Sequence, residues 1–188
     1  MHRLPGKDLL LLAIGFLLGG GIGLLVLFGI DNHFISDVRS LFSLETQTGV
    51  GEYAPDFKLT NLEHKSENLS DYLGKPILIN FWATWCTPCR YEMPLFEQYA
   101  RKYDSQLVIL AVNLQQTDTE VTDYVNELGI TFPILLDLDG SISQMYRVQG
   151  LPTSYFINSE GRINDIHIGS MTEQQLSDYL ERIGISND

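Results

Sequence analysis

The longest apolar stretch of the chain lies near its N-terminus. Residues 9–30, LLLLAIGFLLGGGIGLLVLFGI, contain no charged side chain. As an α-helix this stretch would span about 33 Å, which is enough to cross the hydrocarbon core of a membrane. Arg3 and Lys7 precede it and Asp31 and Asp37 follow it, so the positive-inside rule predicts that the N-terminus is cytoplasmic. A cleaved secretory signal is the alternative, but the run is long for one and lacks a small-x-small cleavage pattern.

The remaining sequence divides into a linker and a globular domain. After the apolar stretch, apolar residues at helical spacing predict a short amphipathic helix, and the polar sequence ETQTGVGE that follows is typical of a linker. The sequence therefore predicts a cytoplasmic N-terminus at residues 1–8, a transmembrane anchor at 9–30, a juxtamembrane linker at 31–50 and a domain at 51–188.

Within the domain, short apolar runs alternate with helical patterns. The strand-like runs are DFKLTNL, PILINFW, QLVILAVN, FPILLD, TSYFIN and RINDIHI. Helical spacing predicts helices at residues 87–103, 118–128, 141–146 and 172–183. Alternation of this kind predicts an α/β fold in which helices pack on a central sheet.

Charge narrows the possible partners of the domain. Residues 31–188 contain 23 acidic and 10 basic side chains, a net charge of −13. Such a domain is a poor candidate for binding nucleic acid, so we expect no nucleic-acid partner. The acidic surface is compatible with a basic partner and also with simple solvation.

The only two cysteines, Cys86 and Cys89, lie in FWATWCTPCRYEMP, between a strand-like run and a helical pattern. This arrangement places Cys86 at the N-terminal end of a helix, with Pro88 in the first turn, where its missing N–H costs nothing. Helix N-termini stabilise anions, so Cys86 is predicted to be an attacking thiolate. Cys89, one turn further along, is predicted to be the resolving thiol that releases a mixed disulfide.

Three other uses of the cysteine pair are alternatives to redox chemistry. A structural zinc site needs four ligands, and the four histidines of the chain are scattered. A structural disulfide across so short a loop would stabilise the fold little. A copper site completed by His167 is a further alternative. The spacing favours a redox-active Cys86–Cys89 disulfide that needs no metal and no other cofactor.

Two separate segments of the chain resemble the thioredoxin superfamily. WATWCTPCR resembles its active-site signature, and Pro94 matches the proline inside the helix that follows. Far along the chain, GLPT precedes a strand and resembles the family's cis-proline turn. The resemblance implies that the bond before Pro152 is cis and that Leu151, Pro152 and Thr153 contact an extended substrate segment. Trp85, directly before the first cysteine, is predicted to form part of an apolar rim for the same substrate.

Three longer segments, APDF, NFWATWCTPCRYEMP and GLPTSYFIN, resemble the membrane-anchored TlpA/ResA-like branch of that superfamily. This branch implies a thioredoxin-like central mixed sheet flanked by helices, with an N-terminal β extension and a central strand–helix insert, after one transmembrane helix. Asn80 stands where thioredoxin has a buried aspartate. Glu92 matches a glutamate of ResA-like proteins, which implies that it tunes the cysteine pKa values and transfers protons. A solvated helix glutamate is the alternative for Glu92.

The same resemblance implies a protein-disulfide reductase anchored in a bacterial cell membrane by a single span, with its domain outside the cytoplasm. Its implied partners are apocytochrome c, reduced before haem attachment, and a membrane thiol transporter of the CcdA or DsbD kind. Other disulfide-containing envelope proteins, oxidation of the DsbA kind and copper delivery remain alternatives. The sequence does not set a reduction potential, so the direction of electron flow stays open.

Overall fold

The computed structural model describes residues 48–186, which form a seven-stranded sheet with helices on both faces. The predicted anchor at residues 9–30, residues 1–8 and most of the linker lie outside this range. Within residues 48–186, no helix is both long and apolar enough to cross a membrane.

The regular elements follow the predicted alternation. The strands are β1 Lys58–Asn61, β2 Ser66–Asn68, β3 Ile77–Trp82, β4 Val108–Leu114, β5 Ile134–Asp137, β6 Thr153–Ile157 and β7 Ile163–Ile168. The α-helices are α1 Thr87–Lys102, α2 Asp118–Leu128, α3 Ser141–Met145 and α4 Glu173–Arg182. Each helix lies within one residue of its predicted ends. The short strand β2 and the 3-10 turn Leu69–Tyr72 were not predicted.

The sheet is mixed, and its strand order is β2-β1-β5-β4-β3-β6-β7. Strands β3, β4 and β5 run parallel to one another, whereas β6 pairs antiparallel with both β3 and β7. The β1–β2 hairpin pairs antiparallel with β5 and forms the predicted N-terminal extension at one edge. The predicted fold class, a thioredoxin-like mixed sheet flanked by helices, is therefore confirmed.

Two apolar clusters hold helices against opposite faces of the sheet. On one face, Phe96 of α1, Val121 of α2 and Leu176 of α4 belong to a single buried cluster. On the other face, Tyr146, which follows α3, packs on Phe81 of β3 with ring centroids 5.4 Å apart. The central strands are thus covered on both sides, and this explains why their sequences are almost continuously apolar.

The central strand β3 positions the cysteine segment. All six residues of Ile77–Trp82 are buried, and Asn80 is the one strongly polar residue among them. After Trp82 the chain passes through residues 83–85 and enters α1. The cysteines therefore lie at the carboxyl edge of the parallel strands, where ligand sites of α/β folds are commonly found.

Candidate active site

Cys86 is the N-cap residue of α1 and forms a disulfide with Cys89 in the first turn. The two Cα atoms are 5.3 Å apart, and the backbone N–H of Cys89 donates to Cys86 Sγ at 3.3 Å. Cys86 retains 4% exposure, whereas Cys89 is fully buried. The predicted helix-cap position of Cys86 is confirmed, and Cys86 is slightly more exposed than Cys89.

The aromatic residues on either side of the cysteines differ in exposure. Trp85 is 70% exposed, as a side chain on the rim of a site would be. Trp82 is fully buried, with its ring 5.1 Å from that of Tyr124 on α2. Arg90 lies over the Tyr124 ring and pairs with Glu127, also on α2. The positive charge next to Cys89 is therefore already engaged by a carboxylate.

The predicted proline turn lies at the same edge of the sheet as the cysteines. The Leu151–Pro152 peptide bond is cis, as predicted. Thr153 begins β6 and pairs with Phe81 of β3, so Pro152 lies level with the end of β3, where the chain turns toward Cys86. Leu151 is half-buried and packs against both apolar clusters. The fold thus brings the cysteine segment and the proline turn to one place despite their separation in sequence.

Hydrogen bonds fix the backbone of this turn. Gly169 N–H donates to the carbonyl of Pro152 at 2.8 Å, and the Thr153 hydroxyl donates to the carbonyl of Gly150 at 2.7 Å. Ile168, the strand partner of Thr153, is 63% exposed. A second exposed apolar side chain, which the sequence analysis did not identify, therefore lies beside the proline turn.

Glu92 is buried one helical turn beyond Cys89. It is 2% exposed, its Oε1 accepts from Asn80 Nδ2 at 3.0 Å, and its Oε2 accepts from the backbone N–H of Met171 at 3.4 Å. Burial raises the pKa of Glu92 to about 7, and the two hydrogen bonds oppose this shift only in part. The alternative of a solvated surface glutamate is therefore wrong.

Asn80 joins this carboxyl group to the strand that follows the proline turn. Its Nδ2 donates to Ser154 Oγ at 3.0 Å as well as to Glu92. Its Oδ1 is buried and has no hydrogen-bond partner within residues 48–186. Because a side-chain amide does not ionise at physiological pH, Glu92 is the group in this contact that can titrate.

A buried amide, Gln116, contacts the loop before Cys86, and a second, Asn113, contacts Gln116; neither was predicted from the sequence. Gln116 Oε1 accepts from the backbone N–H of Thr84 at 2.7 Å, and Gln116 Nε2 donates to Thr84 Oγ1 at 2.6 Å. Asn113 Nδ2 donates to the same Gln116 oxygen at 3.1 Å. Their only signal in the sequence was the presence of amides at the end of the apolar run QLVILAVN and just after it.

The histidine considered for a copper site has other contacts. His167 Nδ1 lies 3.2 Å from the hydroxyl of Tyr179 on α4. Among residues 48–186, no group of three or more His, Cys, Asp or Glu side chains is arranged to hold a metal ion. The chemistry that this edge can carry out is thiol–disulfide exchange, with one buried carboxyl group able to take up or release a proton near neutral pH.

A protein-family model and two similar proteins match most of the chain. The model described as the AhpC/TSA family matches residues 50–166. The thioredoxin-like protein YneN of Bacillus subtilis strain 168 is 37% identical over 164 residues, which cover 86% of this chain and 95% of that protein. The thiol-disulfide oxidoreductase ResA of Geobacillus thermodenitrificans is 39% identical over 145 residues, which cover 77% of this chain and 83% of that protein.

Solved structures show the same similarity. A putative thiol:disulfide interchange protein DsbE from Chlorobium tepidum superposes with a TM-score of 0.69 at 30% identity, covering 73% of this chain and all of that one. StoA from Bacillus subtilis superposes with a TM-score of 0.58 at 30% identity, covering 66% of this chain and 96% of that one. Both similarities extend over nearly the whole length of the solved chain.

Proposed function

The chain belongs to the AhpC/TSA family of thioredoxin-like proteins and is a thiol-disulfide oxidoreductase, and from this premise we propose that it reduces protein disulfides in cytochrome c maturation. The observation that carries the proposal is the buried Glu92, one turn beyond Cys89, with a pKa raised to about 7 by burial. A group that titrates near neutral pH can accept and return the proton that a reductase exchanges in each cycle. The resemblance to the TlpA/ResA-like branch supports the choice of pathway.

In the proposed reaction, the dithiol form of the enzyme gives two electrons to a client disulfide. The Cys86 thiolate attacks one client sulfur, and the other client sulfur leaves as a thiolate and takes a proton from water. Cys89 then loses its proton to Glu92 and attacks Cys86 Sγ. This step releases the second client thiolate and forms the Cys86–Cys89 disulfide present in the structure. A new reductant must restore the dithiol, and Glu92 returns its proton to Cys89 in that step.

We assign substrate binding to Trp85 and to the proline turn formed by Leu151, Pro152 and Thr153. The exposed ring of Trp85 and the partly exposed Leu151 offer apolar contacts to a client segment near the cysteines. The exposed Ile168 beside Thr153 extends this apolar surface. An extended client segment that lies along the turn would bring its disulfide over Cys86.

The proposed client is apocytochrome c, and the proposed electron donor is a membrane thiol transporter of the CcdA or DsbD kind. Both choices follow from the TlpA/ResA-like resemblance together with the apolar stretch at residues 9–30. We propose that this stretch is a single-pass anchor with a cytoplasmic N-terminus, so that the domain works outside the cytoplasm. A dithiol in that compartment needs a supply of electrons, because disulfides persist there.

A second candidate function is reduction of a different cell-envelope disulfide protein by the same chemistry. The relative YneN matches over 95% of its length, and its name specifies only a thioredoxin-like protein. The two candidates share Cys86, Cys89 and Glu92 and differ in the client. The identity of the trapped client therefore distinguishes them.

The test uses the full chain with Cys89→Ser, which stalls the reaction at the mixed disulfide between Cys86 and the client. We expect apocytochrome c to be trapped, and the Cys86→Ser, Cys89→Ser double variant to trap nothing. A different trapped envelope protein would favour the second candidate. A redox titration of the wild-type protein is the companion measurement, and a potential in the range of strong oxidants such as DsbA would contradict both candidates.

A further inference from the structure

The loop at residues 83–85 is the only covalent link between β3 and the helix that Cys86 caps. One backbone hydrogen bond, from Cys86 N–H to the Ala83 carbonyl at 3.1 Å, closes the turn. The side chain of Trp85 is 70% exposed, so its packing does little to hold the loop in place. Ala83 and Cys86 are buried in the apolar cluster that contains Phe96, so a polar contact at Thr84 adds a directional restraint to the loop between them.

Gln116 supplies such a contact. Its amide carbonyl accepts from the Thr84 backbone N–H at 2.7 Å, and its amide nitrogen donates to the Thr84 hydroxyl at 2.6 Å. Two hydrogen bonds from one planar group to one residue fix both its distance and its orientation. Gln116 is 8% exposed, and its carbonyl oxygen also accepts a hydrogen bond from Asn113 Nδ2 at 3.1 Å. The contact joins the loop that follows β4 to the loop that follows β3.

The backbone next to Gln116 has an unusual conformation. Gln115 has a φ of 52°, in the left-handed region that residues other than glycine seldom adopt. Its N–H donates to the carbonyl of Asp137 at the end of β5, at 3.0 Å. The chain thus leaves β4 through a fixed turn that directs the Gln116 side chain toward β3.

We propose that Gln116 is a positioning residue that keeps Cys86 at the N-terminus of α1 once the disulfide is reduced. In the oxidised form, the covalent bond to Cys89 already holds the sulfur near the helix end. After reduction, stabilisation of the thiolate depends on Sγ remaining close to the first N–H groups of α1, including that of Cys89. The Gln116–Thr84 contact restrains the loop that carries Cys86, and it does so with a neutral side chain. This inference rests on the proposed role of Cys86 as the attacking thiolate.

The inference predicts an effect confined to the reduced enzyme. Gln116→Met keeps the length of the side chain and removes both hydrogen bonds to Thr84. We expect the thiolate fraction of Cys86 at neutral pH to fall about threefold to tenfold, because a loosened loop loses part of the stabilisation that a helix N-terminus gives to an anion. The rate at high pH, where the thiol is fully ionised, should not change.

The experiment measures the pH dependence of Cys86 alkylation by iodoacetamide in the full chain, with Cys89→Ser present so that Cys86 is the only thiol. Thr84→Val removes the hydroxyl acceptor and keeps the backbone bond, so it should give a smaller shift in the same direction. Thr84→Ser retains both contacts and should match the parent protein. The double variant Gln116→Met, Thr84→Val should shift the alkylation profile no further than Gln116→Met alone, because the single change already removes both contacts.

A matched control separates positioning from general loss of stability. Thr131→Val removes a hydrogen bond of similar length, from the Thr131 hydroxyl to Glu97 at 2.7 Å. This bond lies at the other end of the parallel strands from the cysteines. The substitution should lower the melting temperature and leave the alkylation profile unchanged. An unshifted profile for Gln116→Met, or an equal shift for Thr131→Val, would overturn the inference. If Gln116→Met does not fold, an unshifted profile for Thr84→Val overturns it. Because no client protein enters this assay, failure of the cytochrome c proposal would appear only in the trapping experiment.

Discussion

Two glutamates on α1, Glu92 and Glu97, are both buried and yet have pKa values shifted in opposite directions. Glu92 is 2% exposed and Glu97 is 7% exposed. Burial raises the pKa of Glu92 to about 7, whereas the pKa of Glu97 lies below its usual value. Burial favours the neutral form of both carboxyl groups, and it does so more strongly for Glu92, which lies deeper in the protein.

The partners of the two carboxylates add to this difference. For Glu97 burial also favours the neutral form, but the Thr131 N–H at 2.7 Å, the Arg101 Nε at 2.6 Å and the Thr131 hydroxyl at 2.7 Å outweigh it. Glu92 has two neutral donors, at 3.0 Å and 3.4 Å. A buried carboxylate with a cation and short hydrogen bonds stays charged, and one with two longer neutral bonds titrates near neutral pH.

The two positions also serve different parts of the fold. Glu97 joins α1 to the segment before β5, at the amino end of the parallel strands, opposite the end that carries the cysteines. Glu92 lies one turn beyond Cys89, beside Asn80 and the loop before α4. Deep burial together with incomplete compensation by hydrogen bonds therefore distinguishes Glu92, the carboxyl group that we place with the cysteine pair.

The largest expected effect concerns the pH dependence of stability at Glu92. Its pKa is raised from 4.5 to about 7 in the folded protein, so the folded state holds the proton more tightly than the unfolded state. The stabilisation is complete below the unfolded pKa and is lost as pH rises through the folded pKa. Relative to Glu92→Gln, the wild type should lose about 3 kcal/mol of unfolding free energy between pH 4 and pH 8. Urea denaturation of the oxidised proteins at both pH values measures this, and parallel pH profiles would contradict it.

Glu97→Gln should change the pH dependence of stability in the opposite direction, because the charged form of Glu97 is the stabilising one. Glu97 stabilises the fold in its charged form, so the variant should be about 2 kcal/mol less stable than the wild type at pH 7. Because the folded pKa is lowered, this difference should shrink as pH falls through the folded pKa. Disulfide reductase activity should not change. A large loss of activity in a folded Glu97→Gln protein would remove the distinction between the two carboxylates.

Asn80→Asp would make the Glu92 site more like a pair of carboxylates. The new carboxylate would lie where Asn80 Nδ2 now donates at 3.0 Å, so the two groups would share a proton and titrate together. We expect the pH of half-maximal reductase activity to rise by about one unit, equivalent to about 1.4 kcal/mol. Ser154→Ala, which removes only the other contact of Asn80, is the control and should leave the profile in place. An unchanged profile in Asn80→Asp would show that this contact does not control titration.

Arg101→Met should have the smallest effect on the free energy of unfolding. Arg101 is 66% exposed and Glu97 keeps both of its bonds to Thr131, so the loss should be about 0.5 kcal/mol. Thermal denaturation in low and high salt measures it, and the difference should decrease in high salt. A loss comparable to that of Glu97→Gln would mean that the ion pair, rather than the Thr131 bonds, stabilises this carboxylate.

The sequence predicted the features that depend on local patterns. Hydrophobic spacing and the residues that start helices gave the helix ends to within one residue. They also gave the capping position of Cys86. The short polar strand β2 was missed because SEN has neither alternation nor β-branched residues. The cis bond at Pro152 was predicted through resemblance to a family and not from the residues alone.

The side-chain contacts of the site were less predictable, because they join residues far apart in sequence. Gln116 and Thr84 are 32 positions apart, and Glu97 and Thr131 are 34 apart. Helical spacing does not distinguish a buried glutamate from a solvated one when both occupy polar positions of the same helix. The role of Glu92 was suggested by resemblance, but its burial and its contact with Asn80 required the folded structure.

The central claim, that Glu92 is the proton-transfer group of the Cys86–Cys89 pair, is tested most directly by titrating the reduced full-length protein. Thiolate formation should be followed against pH by ultraviolet absorbance in the wild type, Glu92→Gln and Glu97→Gln. The wild type should ionise in coupled steps, because a carboxylate beside a thiolate disfavours its ionisation. Glu92→Gln should ionise at lower pH and in a simpler curve, while Glu97→Gln should match the wild type. Identical curves for the wild type and Glu92→Gln would contradict the claim.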